Sequence, residues 1–164
     1  MTPVKWGLAA AACALAADQI VKSLLLFAAG FVHFLPGDHV DVLPFFDLVM
    51  VWNHGISYGL LQSYGVWGTV LLTLFSAMAI VGLGWWLLRT DHAFPAVGLG
   101  LIIGGALGNV LDRIIYGAVA DFFHFHAFGR DWYVFNVADA AITVGVIILL
   151  ADAFIRPSPK VSQE

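Results

Sequence analysis

Four long apolar stretches restrict what this sequence can fold into. Each is about as long as the roughly 20 residues that an α-helix needs to cross a bilayer. Hydrophobic residues make up 61% of the 164 positions and charged residues only 11%, whereas about a quarter of a soluble domain is charged. The composition therefore predicts an all-α integral membrane protein with a single membrane-embedded domain over residues 1–164. The four predicted spans are residues 6–32, 66–88, 94–116 and 136–155.

The first span also has features of a secretory signal peptide, because Lys5 precedes an apolar run that contains small residues. In addition, residues 10–13 (Ala-Ala-Ala-Cys) loosely resemble a lipid-attachment site. However, the apolar run resumes at Ile20 and continues to Val32, which is too long for the apolar core of a cleaved signal peptide. We therefore expect a retained membrane helix and a small buried thiol at Cys13.

Lysine and arginine residues outside the spans indicate how the chain crosses the membrane. All of them except Arg130 fall on one side, and the positive-inside rule assigns that side to the cytoplasm. We therefore expect both termini in the cytoplasm, and segments 33–65 and 117–135 on the outer side. The cations on the predicted cytoplasmic side are Lys5, Arg89, Arg156 and Lys160.

The outer segment 33–65 contains a β-prone stretch, residues 46–52, which follows Pro-Gly and Pro turn signals. It predicts a strand or hairpin on the outer membrane surface, that is, a small extracytoplasmic β-platform between helices 1 and 2. Aromatic residues gather near this interface, as they do in the aromatic belts of membrane proteins. They are Trp52, Tyr58, Tyr64, Trp67, Trp132 and Tyr133.

Ionisable residues inside a membrane span are costly and therefore mark candidate functional sites. With a rise of about 1.5 Å per residue, the charged positions of the first, third and fourth spans fall at one level near the outer leaflet. We expect every intramembrane charge to converge there, with Asp121 just beyond the third span. The charged positions are Asp18, Lys22, Asp112, Arg113 and Asp139.

Several of these residues also have explanations that need no ligand. Asp18 and Lys22 have the i,i+4 spacing of an intrahelical ion pair, with the acid first. Arg113 lies one turn after Asn109, which could hold it while its head extends to the interface. Small residues at four-residue spacing predict close packing of the third span against another helix. These are Gly100, Gly104 and Gly108.

Asp121 and Asp139 are harder to explain structurally, because no basic residue lies at helical spacing from Asp139. Two carboxylates without dedicated cations near one interface predict a pair that shares a proton, because like-charge repulsion raises the pKa of one of them. Such a pair can activate water for attack on a peptide carbonyl while the protonated acid polarises the carbonyl oxygen.

Two other motifs are weaker. Residues 55–59 match G-x-S-x-G around Ser57, but that nucleophile motif requires a strand-turn-helix context in an α/β sheet, for which this chain has no room. His124 and His126 could lie on one strand face as metal ligands, yet two histidines without an H-E-x-x-H motif are a weak signal. We therefore predict no metal site.

Four motifs, in the right order, are similar to those of signal peptidase II, the lipoprotein signal peptidase family of bacteria. Residues 104–122 match G-G-x-x-G-N-x-x-D-R-x-x-x-G-x-V-x-D-F at every fixed position. Residues 135–139 match F-N-x-A-D, and residues 18–22 match D-Q-x-x-K. Residues 53–59 resemble N-x-G-x-A-F-G, with Ser and Tyr in place of Ala and Phe.

The resemblance implies an intramembrane aspartic endopeptidase that removes the signal peptide from prolipoproteins by cleaving before the diacylglyceryl-modified cysteine. It implies that Asp121 and Asp139 are the catalytic dyad, and that Asp18 and Lys22 support the site. Further residues are implied to contact the substrate or to hold the shape of the site. They are Asn53, Gly55, Asn109, Arg113, Asn136 and Ala138.

The expected partners are a diacylglyceryl-modified prolipoprotein and membrane lipid, with no cofactor, for a monomer in the bacterial cytoplasmic (inner) membrane. A net charge of −4 argues against nucleic-acid binding. The alternative function is a small proton-coupled transporter that uses the same carboxylates as a relay. A transporter would be expected to show inverted repeats and charges at many depths, and this sequence shows neither. A lipid-binding scaffold would leave the two unpaired acids unexplained.

Overall fold

The computed structural model of the chain describes residues 1–55 and 65–155. Within these residues, four helices are long and apolar enough to cross a membrane. They are α1 (Pro3–Ser23, extended by a π-helical turn at Leu24–Ala28), α2 (Gly65–Leu87), α3 (Ala93–Tyr116) and α4 (Val137–Ile155). Ser57, Tyr58, Tyr64, Arg156 and Lys160 lie outside the described residues.

The central helix is α3, which packs against α1, α2 and α4. Its small residues allow this contact. A Cβ added at Gly100 or Gly104 would overlap a backbone carbonyl oxygen of α1, at Gly7 and Ala11 respectively. One turn further along, the missing side chain of Gly108 leaves room for the Asp18 carboxylate. The predicted close packing is therefore confirmed, and it brings a polar side chain of α1 against α3.

The predicted β-platform is larger than expected. Residues 46–52 do form a strand, but the described sheet has four antiparallel strands in the order β1-β2-β3-β4. Two of them come from segment 117–135, whereas the predicted platform lay only between helices 1 and 2. The strands are β1 (His39–Leu43), β2 (Phe46–Asn53), β3 (Val119–Ala127) and β4 (Arg130–Phe135). The protein is therefore a helical membrane protein with a sheet drawn equally from the α1–α2 and α3–α4 connections.

Gly117 produces the transition from helix to sheet. It ends α3 with φ +76°, in the left-handed region, and its N–H donates to the carbonyl of Arg113 at 3.1 Å. This closure is typical of glycine, which has no Cβ to oppose it. β3 then begins two residues later, so the first residues of the strand lie next to the end of α3.

Two expectations about the helices are wrong. Cys13 is exposed on α1 rather than buried, because it lies on a face that no described helix covers. Asp152 lies in the last turn of α4, at the opposite end from Asp139. The charges of the spans therefore do not all converge on one level. Those near the end of α1 and the end of α3, together with the first acid of α4, do gather near the sheet; they are Asp18, Lys22, Asp112, Arg113 and Asp139.

Candidate active site

The first turn of α4 fixes the position of Asp139. The Asn136 side chain accepts a hydrogen bond from the Asp139 N–H at 2.9 Å, and the Asp139 carboxylate accepts one from the Asn136 N–H at 3.4 Å. This reciprocal arrangement resembles a capping box, which satisfies N–H groups that the helix itself leaves without partners. The short sequence from Asn136 to Asp139 therefore both starts the helix and orients the carboxylate.

Asp121 lies on β3, and its side chain is 1% exposed. One carboxylate oxygen accepts a hydrogen bond from Asn53 of β2 at 3.0 Å, and the other accepts one from Asn136 at 2.7 Å. The Asn53 side chain is held in turn by the Gly55 N–H, which donates to it at 3.0 Å. Strand pairing and two amides thus hold this acid at the junction between the sheet and α4.

Asn136 contacts both acids and therefore connects them. Its amide nitrogen donates to Asp121 and also lies 3.2 Å from the Asn109 side-chain oxygen. Asn109 donates to Asp139 at 2.9 Å. The structure therefore brings together Asp121 and Asp139, which are 18 positions apart in sequence, through two asparagines on α3 and at the start of α4. Asn136 is 1% exposed and Asn109 is 9% exposed.

A buried ion cluster lies beneath the two acids. Lys22 is 2.8 Å from Asp18, which confirms the predicted pair, and 2.7 Å from Asp112 of α3. All three side chains are at most 4% exposed. The Lys22 ammonium group therefore forms ion pairs with both carboxylates. It also donates to the side-chain oxygen of Asn109 at 3.4 Å.

The two carboxylates of this cluster each hold a backbone N–H next to one of the candidate catalytic acids. Asp18 accepts from Ala138, next to Asp139, at 2.9 Å, and Asp112 accepts from Ala120, next to Asp121, at 3.2 Å. No role of its own could be predicted for Asp112 from the sequence. The missed signal is that one lysine and one acid of the first span could meet the second acid, Asp112, in the third span, whose glycine spacing predicts close packing against another helix.

Burial raises the pKa of Asp121 from its ordinary value to about 7, and the neighbouring Asp139 carboxylate is the second cause. The hydrogen bonds from Asn53 and Asn136 act in the opposite direction, because they stabilise the charged form. Near neutral pH, Asp121 therefore exists in both protonation states. An acid that can hold or release its proton in this range suits general acid–base chemistry.

A cavity of about 420 Å³ opens beside Asp139. Arg113 lines it and donates weakly to the carbonyls of Asn109 and Gly55, at 3.4 and 3.5 Å. Among the described residues, the buried Nε of Arg113 has no hydrogen-bond acceptor. Apolar and small residues of the helices form another part of the lining, beside Val119 and Tyr133 of the sheet. They are Leu72, Phe75 and Ser76 of α2, Ala106 of α3 and Ile142 of α4.

The remaining candidates lie elsewhere. His124 and His126 do lie side by side on β3, with ring centroids 5.5 Å apart, and they contact Asp47 and Asp131. In the described part of the chain, no three His, Cys, Asp or Glu side chains are arranged to hold a metal ion. Ser57, the centre of the G-x-S-x-G match, is outside the described residues.

Comparison with known proteins gives consistent results. The chain is 51% identical to a lipoprotein signal peptidase of Rhodopseudomonas palustris over 159 residues, which cover 94% of this chain and 95% of the relative. It is 49% identical to one of Nitrobacter hamburgensis, with 95% and 96% of the two chains covered. These relatives span nearly the whole chain, including both segments that carry the candidate acids.

Solved structures and a family model agree with this comparison. A bacterial membrane enzyme solved by the in meso method at 2.3 Å resolution has a TM-score of 0.80 and 27% identity, with 96% of this chain and 93% of that chain covered. A second, solved at 1.9 Å, has a TM-score of 0.74 and 25% identity, with 93% and 94% covered. The model of the family described as signal peptidase (SPase) II matches residues 10–155. The chain therefore belongs to the signal peptidase II family.

Proposed function

We propose that this protein removes signal peptides from prolipoproteins as an aspartic endopeptidase, with Asp121 and Asp139 as its catalytic dyad. The observation that carries the proposal is the bridge through Asn136, which contacts both carboxylates at the junction of sheet and membrane helix. The relatives that are named lipoprotein signal peptidases support this substrate class. They give no support to the transporter alternative.

The dyad can supply both a base and an acid to peptide hydrolysis. The ionised aspartate takes a proton from water, whose oxygen attacks the peptide carbonyl, while the protonated aspartate donates its proton to the carbonyl oxygen. The tetrahedral intermediate then collapses, and a proton passes to the leaving amine. Asn109 and Asn136 hold the carboxylates in place by donating to them. No covalent bond between enzyme and substrate is needed.

The polar groups around the cavity can bind the backbone of an extended substrate. The Nε of Arg113 can donate to a substrate carbonyl, since it has no acceptor among the described residues. Asn53 and Gly55 border the same cavity on the side of the sheet. Contacts of this kind fix the scissile bond relative to the dyad, which is how an enzyme converts binding energy into orientation.

The substrate can reach the dyad from within the membrane. The cavity is lined by residues of α2, α3 and α4. α2 and α4 both pack on α3, and the cavity lies between them at the end of α3 that is near the sheet. A signal helix can therefore enter sideways from the lipid while the acyl chains on its cysteine remain in the outer leaflet. With both termini in the cytoplasm, as the positive-inside rule predicts, the dyad lies near the outer surface, where water can reach it.

The proposal predicts cleavage by the purified chain in detergent, with a chelator present. A diacylglyceryl-modified prolipoprotein should be cut immediately before its lipidated cysteine, as read by mass spectrometry of both products. The matched control is the same polypeptide with an unmodified cysteine, which should be cleaved much more slowly because it lacks the lipid that positions it. Failure of folded protein to cleave the lipidated substrate, or loss of cleavage with the chelator, would contradict the proposal.

A further inference from the structure

The threonine hydroxyls of the described membrane helices all donate to backbone carbonyls. Thr73 donates to the Thr69 carbonyl and Thr143 to the Asp139 carbonyl, both at 2.8 Å. The Thr69 hydroxyl donates to the carbonyl of Gly117 at 3.2 Å. A hydroxyl without a partner is unfavourable in an apolar medium, and a bond to the carbonyl one turn earlier is a common way to satisfy it.

Ser76 of α2 differs from these threonines. Among the residues that the structure describes, none forms a hydrogen bond with its hydroxyl. Ser76 is half-buried and lines the cavity beside Asp139, together with Leu72 and Phe75 of the same helix. Its hydroxyl is therefore available to a molecule that occupies this cavity.

The packing of α2 on α3 places Ser76 at the level of the candidate dyad. The contact between Thr69 and Gly117 joins the ends of the two helices that are nearest the sheet. From this contact, Ser76 is seven residues along α2 and Asn109 is eight residues back along α3, so both lie about 11 Å from it. Asn109 lines the same cavity and donates to Asp139 at 2.9 Å. Ser76 is thus on the α2 side of the cavity, at the same level as this hydrogen bond.

A signal helix bound in this cavity brings backbone carbonyls that lack partners. The last four carbonyls of an α-helix have no N–H of their own helix to accept from, and the chain must leave the helix near the bond that is cleaved. A backbone group without a partner is strongly unfavourable inside a membrane. A hydrogen-bond donor at the level of the scissile bond, on the side of the substrate away from Asp139, satisfies one of these carbonyls. Ser76 is such a donor.

We propose that the Ser76 hydroxyl donates a hydrogen bond to a substrate carbonyl just before the scissile bond, where the signal helix ends. Ser76 is then a substrate-binding residue that fixes the substrate from the α2 side and takes no part in proton transfer. This inference rests on the proposed peptidase function. A small residue at this position also allows a substrate helix to approach closely, so the test must separate the hydroxyl from the size of the side chain.

Ser76→Ala makes this separation, because it keeps a small side chain and removes only the hydroxyl. Its kcat/KM for the lipidated prolipoprotein should fall about three- to tenfold, as expected for the loss of one hydrogen bond. Its thermal unfolding should be unchanged, since no described residue bonds to the hydroxyl. The matched control is Thr73→Val, which removes a hydroxyl of the same helix that already has a partner and does not line the cavity. Its kcat/KM should stay within twofold of that of the unmodified protein.

Substrates with a single amide-to-ester replacement identify the accepting carbonyl, because an ester carbonyl is a weaker acceptor than an amide carbonyl. The replacement is made in turn at each of the three peptide bonds before the scissile one, and each substrate is cleaved by the unmodified protein and by Ser76→Ala. At one position, the ester should slow the unmodified protein but have little further effect on Ser76→Ala. Such non-additivity indicates a direct contact.

Two results would overturn the assignment of Ser76. One is a kcat/KM of Ser76→Ala equal to that of the unmodified protein. The other is a loss in Ser76→Ala that adds to the ester effect at all three positions, because the hydroxyl would then act on the structure of α2 and not on the substrate. If the unmodified protein does not cleave the all-amide lipidated substrate, the peptidase proposal itself fails, and the assignment of Ser76 fails with it.

Discussion

Replacement of Asp139 by asparagine should lower the rate of prolipoprotein cleavage by about 10³-fold or more, because an amide cannot accept a proton from the attacking water. Asp121→Asn should have a comparable effect. Both variants should still fold, since an asparagine oxygen at position 139 can accept the hydrogen bond from Asn109, and one at position 121 can accept that from Asn136. Single-turnover cleavage in detergent measures the loss.

Asp152→Asn is the matched control for this prediction. It makes the same substitution in the same helix, but at the opposite end of α4. Its cleavage rate should stay within a few-fold of that of the unmodified protein. If Asp139→Asn kept a rate within tenfold of that of Asp152→Asn, while its helix content and thermal unfolding were unchanged, Asp139 would not belong to a catalytic dyad.

Lys22→Met should strongly destabilise the fold. It leaves Asp18 and Asp112, which are 0% and 1% exposed, without their shared cation. Removal of one partner from a buried ion cluster costs about 3–5 kcal/mol, because the remaining charge has neither water nor a counterion. The midpoint of thermal unfolding in detergent should therefore fall by several degrees. Activity should also fall, because the hydrogen bonds from the Ala120 and Ala138 N–H groups to Asp112 and Asp18 would weaken.

Two further variants make this prediction specific. Lys5→Met makes the same change at an exposed position of α1 and should leave the thermal midpoint unaltered. The double variant Lys22→Met, Asp112→Asn should recover part of the stability, since it removes one of the two uncompensated charges while its amide oxygen can still accept from Ala120. Equal midpoints for Lys22→Met and Lys5→Met would show that the cluster does not stabilise the fold.

The membrane spans and the two candidate acids could be predicted from the sequence because they depend on local properties. The length of an apolar run and the lack of a cation near Asp139 are both visible within one segment. The sheet could not be predicted in full, because β2 pairs with β3 across α2 and α3. Nothing in residues 117–135 alone indicates that their backbone groups form hydrogen bonds with β2 rather than with water.

The role of Asp112 illustrates the same limit inside the membrane. Within α3 it is one acid next to Arg113, and adjacent residues of a helix do not face each other, so the local sequence indicates no partner for it. In the fold it faces Lys22 of α1, because Gly100, Gly104 and Gly108 bring the two helices together. The hydrogen bond from Asn136 to Asp121 likewise depends on tertiary structure, because the Asn136 amide is close to Asp121 only when β3 packs against the start of α4.

The pH dependence of kcat/KM for the lipidated substrate tests most directly the central claim, that two carboxylates share one catalytic proton. Below the acid limb both acids are protonated and no base remains. Above the alkaline limb both are ionised and no acid remains, and this limb should lie near the pKa of about 7 at Asp121. The two limbs belong to the pair rather than to single residues. A bell-shaped profile is the predicted result, whereas a rate that rises continuously through pH 9 would contradict the aspartic dyad.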